Sequence, residues 1–172
     1  VDFILRPPDA PGGSGELPEA EEPREAIPEL IGRFTEVRPG DEVLLLSTRR
    51  RAGVEKPKDG AVRAKPPGSL VKRPPKPVSY DLIAAVGLPA GVGPERLQEA
   101  CVSLYDALRP GGELLIRLDP DPMALPSATT ALTSLLRAGF EVIDTADGSG
   151  GLDCRLVRPL ELDDIQRFFR NG

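Results

Sequence analysis

Histidine and tryptophan are both missing from this 172-residue sequence, which has only two cysteines, Cys101 and Cys154, and one methionine. Without histidine there is no Ser-His-Asp or Cys-His nucleophile system, no imidazole acid or base, and no histidine-containing metal site. Two cysteines cannot supply the four thiolates usual for structural zinc or an iron–sulfur cluster, nor a disulfide-dense secreted scaffold. Aromatics make up only 4% of the chain, so its core must be aliphatic. No apolar run approaches the roughly 18 residues of a membrane span, and no charged-then-apolar start marks a signal peptide. A soluble cytoplasmic protein that makes no membrane contact is the expectation. Val1 rather than Met opens the sequence, as in a processed chain or a piece of a longer one.

Proline and glycine, by contrast, are in excess, at 20 and 18 residues. Charge is just as uneven. The net charge is −5, yet residues 48–77 hold ten basic residues against Glu55 and Asp59, so this stretch is +8 and the remainder −13. With six prolines and little apolar periodicity, residues 48–77 read as an exposed, disordered basic loop within a single domain spanning residues 1–172. Arg49, Arg50, Arg51, Lys72, Arg73 and Lys76 are its candidate partner-binding residues, suited to an acidic protein surface. No aromatic interrupts the strip, so the stacking platform of a single-strand nucleic-acid binder is missing and nucleic acid is not the expected partner. Residues 16–29 are the acidic, proline-punctuated counterpart.

The ordered pattern is alternating. Residues 3–5 suggest a short edge strand, and residues 24–37 carry Ala26, Ile27, Leu30, Ile31 and Phe34 at helical spacing. Pro28 sits in the first turn of that helix, where a missing N–H is tolerated. Residues 42–47 (EVLLLS) and 80–86 (YDLIAAV) have the apolar density of strands buried on both faces. A helix over 94–108 is stopped by Arg109, Pro110, Gly111 and Gly112, and residues 113–118 (ELLIRL) form a third strand. Ser127 caps a leucine helix that Gly139 ends. Residues 140–145 and 153–158 form an antiparallel hairpin across the turn at 147–151, and residues 162–169 a short terminal helix. The fold class is α/β, an open, mostly parallel sheet with an antiparallel C-terminal hairpin.

The stretches SYDLIAAVGL, LYDALRPGGELLIRL and LTSLLRAGFEVIDT resemble the C-terminal half of class I S-adenosylmethionine methyltransferases, over residues 79–158. That resemblance implies a Rossmann-like sheet, with cofactor binding in the N-terminal half. There the chain departs from the family. After the strand at 43–47 the family's glycine-rich turn is replaced by Thr48, Arg49, Arg50, Arg51 and Ala52, with Gly53 alone. The acid expected at the end of the second strand is lacking too, residues 61–65 being the best remnant of that strand. The cofactor half is thus truncated. If the chain is an S-adenosylmethionine-dependent methyltransferase, the resemblance implies Ser47, Gly53, Asp81 and Gly87 as cofactor contacts. The amino-terminal domain of the anamorsin family, cytosolic iron–sulfur assembly factors, is a closer likeness. Its plan is similar to residues 79–88, 108–120 and 132–142, and RPLELDDIQ looks like its helix start. This implies a non-catalytic protein-interaction domain with no catalytic residue, metal or cofactor of its own. Its electron-transfer partner would be a diflavin reductase, and its cluster would lie in a missing C-terminal region.

Other residues carry local readings. Asp81 caps or orients the start of a buried strand, and Asp119 and Asp121 belong to a proline-rich turn in which carboxylates accept nearby N–H bonds. Cys101 and Cys154 read as core thiols. The glycines at 148–151 are a hairpin turn rather than a phosphate loop, since neither the following helix nor the lysine is there. Asp144 and Asp147 have no partner identifiable from sequence.

Overall fold

The computed structural model describes residues 26–47, 53–148 and 151–161. In order these give α1 (Ala26–Phe34), β1 (Glu42–Leu46), β2 (Ala61–Lys65), β3 (Tyr80–Val86), α2 (Pro94–Ala107), β4 (Leu108–Leu118), α3 (Ala128–Ala138), β5 (Glu141–Gly148) and β6 (Gly151–Val157). A 3-10 helix over Pro67–Val71 lies between β2 and β3. The six strands form one sheet in the order β2-β1-β3-β4-β6-β5. β2, β1, β3 and β4 are mutually parallel, whereas β6 runs antiparallel to both β4 and β5. This is the mostly parallel α/β sheet with an antiparallel hairpin expected from the sequence.

The strand period of two sorts side chains into two layers. Val43 and Leu45 of β1, with Leu82 and Ala84 of β3, face Ile27, Leu30 and Ile31 of α1. Leu44 and Leu46, with Ile83 and Ala85, face the opposite layer, built on Leu97, Ala100, Cys101 and Leu104 of α2 and Ala131 and Leu135 of α3. Central strands buried on both sides explain the unbroken apolar runs. The helix boundaries follow local chemistry. Pro94 occupies the first turn of α2, and the Ser127 side chain accepts the Thr130 N–H at the start of α3. Gly139 ends α3 at φ 116°, a left-handed geometry that only glycine adopts without strain. A Cβ there would also lie 2.9 Å from the Tyr105 ring.

Three expectations change. Residues 48–77 are not loop throughout, because residues 61–65 pair with β1 and Leu70 of the 3-10 helix is buried in the α2 layer. Val62 joins the α1-side core as the single large apolar residue of β2, and an edge strand tolerates charges at its other positions. β4 begins at Leu108 rather than Glu113. Tyr80 pairs with Leu108 and Leu82 with Glu113, so residues 109–112 bulge out between the two pairs. The hairpin strands also run longer towards their turn, with Gly148 pairing Gly151. The expected strand at 3–5, the terminal helix at 162–169 and Arg49, Arg50 and Arg51 lie outside the described residues. Among the described residues no helix is long and apolar enough to cross a membrane.

Candidate functional site

In an open parallel sheet, ligands sit beyond the carboxyl ends of the strands where the chain order reverses. Here that point falls between β1, which leads outward to β2, and β3, which leads the other way to β4. Ser47 and Gly87 follow these two strands at that edge, with Gly87 at φ 94°. Ser47 is buried, and its N–H donates to the Lys65 carbonyl at 2.9 Å. Gly53 stands on the β1–β2 connection against Pro28 of α1. Asp81, the fourth residue of the implied set, lies at the opposite, amino-terminal edge. Five residues of β3 separate it from Gly87, so the two are six strand rises, about 20 Å, apart. Its Oδ2 accepts from the Glu42 N–H at 2.9 Å and from Arg109 at 2.8 Å, so it orients the starts of β1 and β3. A polar cavity of about 260 Å³ opens beside it, lined among others by Arg38, Asp41, Arg109 and Glu113. The structure thus brings Ser47, Gly53 and Gly87 towards one edge and leaves Asp81 on the other.

The class I methyltransferase plan implies S-adenosylmethionine at the Ser47–Gly87 edge, and the described residues there do not fit it. The residue that ends β2 is Lys65, paired in register with Leu46. An ammonium therefore stands where the ribose hydroxyls need an acceptor. Residues 47–60 alone join β1 to β2, and residues 53–60 hold no helix that could present its N–H groups to the ligand. Beyond β4, Asp119 accepts from the Asp121 N–H and Asp121 from the Met123 N–H, each at 2.9 Å. These carboxylates close their own turn. No group of three or more potential metal-ligating side chains occurs among the described residues.

What the β2 side of the molecule does present is positive charge. Residues 53–77 carry seven basic side chains and two acidic ones. Arg63 and Lys65 alternate on β2 in register with Leu44 and Leu46, so they point to the α2 side of the sheet. Lys72 and Arg73 follow the 3-10 helix, which packs against α2 on that same side. Arg63, Lys72, Arg73 and Lys76 are exposed, and Lys65 is half-buried. Among the described residues β2 is the last strand of the sheet, and no strand of theirs pairs with its outer edge.

Sequence reasoning missed a buried charge cluster under α1. Arg117 of β4 makes a two-pronged bond to Asp153 of β6, at 2.7 and 3.1 Å. Asp153 is fully buried and also meets Arg33 at 3.3 Å, and Arg117 meets Glu29 at 3.6 Å. The bond to Asp153 holds the Arg117 guanidinium above its ordinary pKa, against the opposing effect of burial. Next to it, Arg155 is paired with Glu113 at 2.7 and 2.8 Å, and this bond raises its pKa in turn. The signal available in the sequence was a lone arginine within ELLIRL and an aspartate opening the run at 153–158. Both cysteines are core thiols. Burial pushes Cys101 up to about 12, and burial with the Asp153 charge pushes Cys154 to about 11.

No protein-family model and no curated protein sequence matches the chain. Solved structures do. An S-adenosylmethionine-dependent methyltransferase from Mesorhizobium loti is similar with a TM-score of 0.57 at 14% identity, over 79% of this chain and 98% of that one. A TehB-like S-adenosylmethionine-dependent methyltransferase from Corynebacterium glutamicum is similar with a TM-score of 0.57 at 13% identity, over 76% and 85%. The [4+2]-cyclase SpnF is similar with a TM-score of 0.58 at 13% identity, over 80% and 82%. Strand order, hairpin and these likenesses together identify the fold as methyltransferase-like.

Proposed function

We propose that this chain is a non-catalytic, methyltransferase-like protein-interaction domain whose β2 edge takes an acidic segment of a partner protein. The observation that carries this is Lys65 at the end of β2, at the head of a row of cations where the fold would otherwise place a cofactor-binding acid. Arg63, Lys65, Lys72, Arg73 and Lys76 supply the charge, and Arg49, Arg50 and Arg51 extend the row in sequence. Several separate cations along an edge suit a flexible polyanionic chain better than a small molecule, because no enclosing pocket is needed.

In its finer form the proposal places the domain in a cytoplasmic iron–sulfur assembly protein of the anamorsin type. The cluster would be held by chain outside these residues, and the partner would be a diflavin reductase. The resemblance of residues 79–88, 108–120 and 132–142 supports this form. Calorimetric titration of a diflavin reductase tests it: saturable binding that weakens with salt is expected, and no heat at low salt would overturn it. A decaglutamate peptide tests the coarser form. It should bind the chain, lose affinity steeply between low and moderate salt, and lose it again in a K65E/K72E/R73E variant. A salt-independent or unaltered affinity would contradict the edge as the site.

One observation favours a second reading, a methyltransferase with an atypical cofactor site. The switch point between β1 and β3 persists, with Ser47 and Gly87 beside it. That reading requires S-adenosylmethionine to bind despite Lys65.

A further inference from the structure

We propose that Ser69 is a phosphorylation site, and that a phosphate there switches off the basic flank beside β2. The inference rests on the interaction reading above and names its regulation. The phosphate takes up, within the chain, cations that an acidic partner needs.

Placement supplies the first argument. Ser69 is the one hydroxyl-bearing residue of the stretch 53–77, among seven basic side chains. It lies within the 3-10 helix Pro67–Val71, four residues after Lys65. The Lys72 and Arg73 N–H groups both donate to the Ser69 carbonyl, at 3.1 and 2.8 Å, so both cations stand within one turn of its side chain. Neither makes an ion pair with an acid among the described residues. Access is the second argument. Ser69 is half-buried, but its hydroxyl donates to the Pro66 carbonyl at 2.7 Å in an exposed bond. Leu70 and Val71 pack this turn against the α2 layer, and prolines at 66, 67, 74, 75 and 77 have no N–H to give up when the segment extends into a kinase cleft. Ser79, the next hydroxyl, is tied to the head of β3, its N–H donating to the Ala107 carbonyl at 2.9 Å.

In the step itself, Ser69 Oγ bonds to the γ-phosphorus of a nucleoside triphosphate held by a protein kinase. The bond from that phosphorus to the bridging oxygen breaks, its electron pair leaves with the nucleoside diphosphate, and the hydroxyl proton passes to the kinase's base. The product carries about −1.5 to −2 charge at neutral pH and three acceptor oxygens. Lys72 and Arg73 meet it in charge-assisted bonds, and about two of the five positive charges on this flank are cancelled.

Three measurements on the full chain decide the matter. The chain is incubated with magnesium, ATP and a panel of serine kinases selective for basic sequences. Peptide mapping should place phosphate on Ser69, and the same peptide of S69A should take none. Labelling that spares Ser69, or no labelling, would overturn the proposal. In the second measurement, chain carrying genetically encoded phosphoserine at position 69 should bind decaglutamate about tenfold more weakly than the parent, the loss of two exposed ion pairs. Equal affinities would contradict it. The third readout does not depend on the peptide. Phosphorus-31 titration should find the second ionisation of this phosphoserine below its usual value of about 6, because adjacent cations favour the dianion. With K72A/R73A added, it should return towards that value, and an equal value in both chains would sink the idea. If the parent does not bind decaglutamate, the interaction reading fails, and mapping and titration alone decide whether Ser69 is the site.

Discussion

Asp153 and Arg117 show how much a single inward-facing charge governs. Each sits on the α1 face of the sheet, one on β6 and one on β4, and the register places them opposite each other. Removing one partner strands the other charge in the core. Asp153→Ala should therefore destabilise the chain by about 3–5 kcal/mol, read as a lower denaturant midpoint with the transition slope unchanged. Neither residue was legible as a pair in the sequence, because an ion pair between strands needs the strand order before it can be seen. Cys101 was legible, since its helical spacing alone put it on the apolar face. Folded chain should leave both thiols unreactive towards a disulfide reagent at pH 8, and unfolded chain should expose both. The same burial ties stability to pH. The thiols are protonated in the folded state up to about 11 and about 12, whereas unfolded thiols ionise near 9.0. Their contribution is complete below pH 9 and falls as pH rises through this window, because there the unfolded chain has released protons that the folded chain retains. Rapid modification of Cys101 in folded chain at pH 8 would contradict the core placement.

At the scale of elements, the helices declared their ends and one strand did not. Ser127 and Gly139 mark α3 by side-chain chemistry and by a left-handed backbone, both local properties that a sequence displays. Ser127→Ala should cost about 1 kcal/mol. Gly139→Ala should cost more than the roughly 1–2 kcal/mol of left-handed backbone alone, because its Cβ would also press on Tyr105. Thermal melts of the two variants check both the order and the size. β2 gave weaker signals. AVRAK holds one large apolar residue, and its strand state comes from pairing with β1 rather than from its own propensity. Proline and charge around it read as loop, and only the register with Val43 shows why Val62 packs against the α1-side core. The bulge before Glu113 was hidden for a similar reason: the RPGG turn reads as an end, although Leu108 already pairs with Tyr80.

For the whole molecule, residues 79–158 announced the sheet, since a buried strand, a helix, the RPGG turn, a further helix and a hairpin follow one another in a single sequence pattern. The candidate site was only partly legible. Its charge was plain from composition, and residues 61–65 were legible as a remnant of the second strand without its acid, but only the fold pairs them with β1 and sets Lys65 at the edge where the parallel strands finish. The same fold sends Asp81 to the far edge, although a sequence comparison groups it with Ser47 and Gly87. A sheet of methyltransferase plan thus ends β2, at the edge where its parallel strands finish, in Lys65 rather than in an acid. Calorimetric titration of S-adenosylmethionine into the full chain tests this most directly. No binding is expected even at millimolar cofactor, and saturable binding in the micromolar range would contradict the interaction reading.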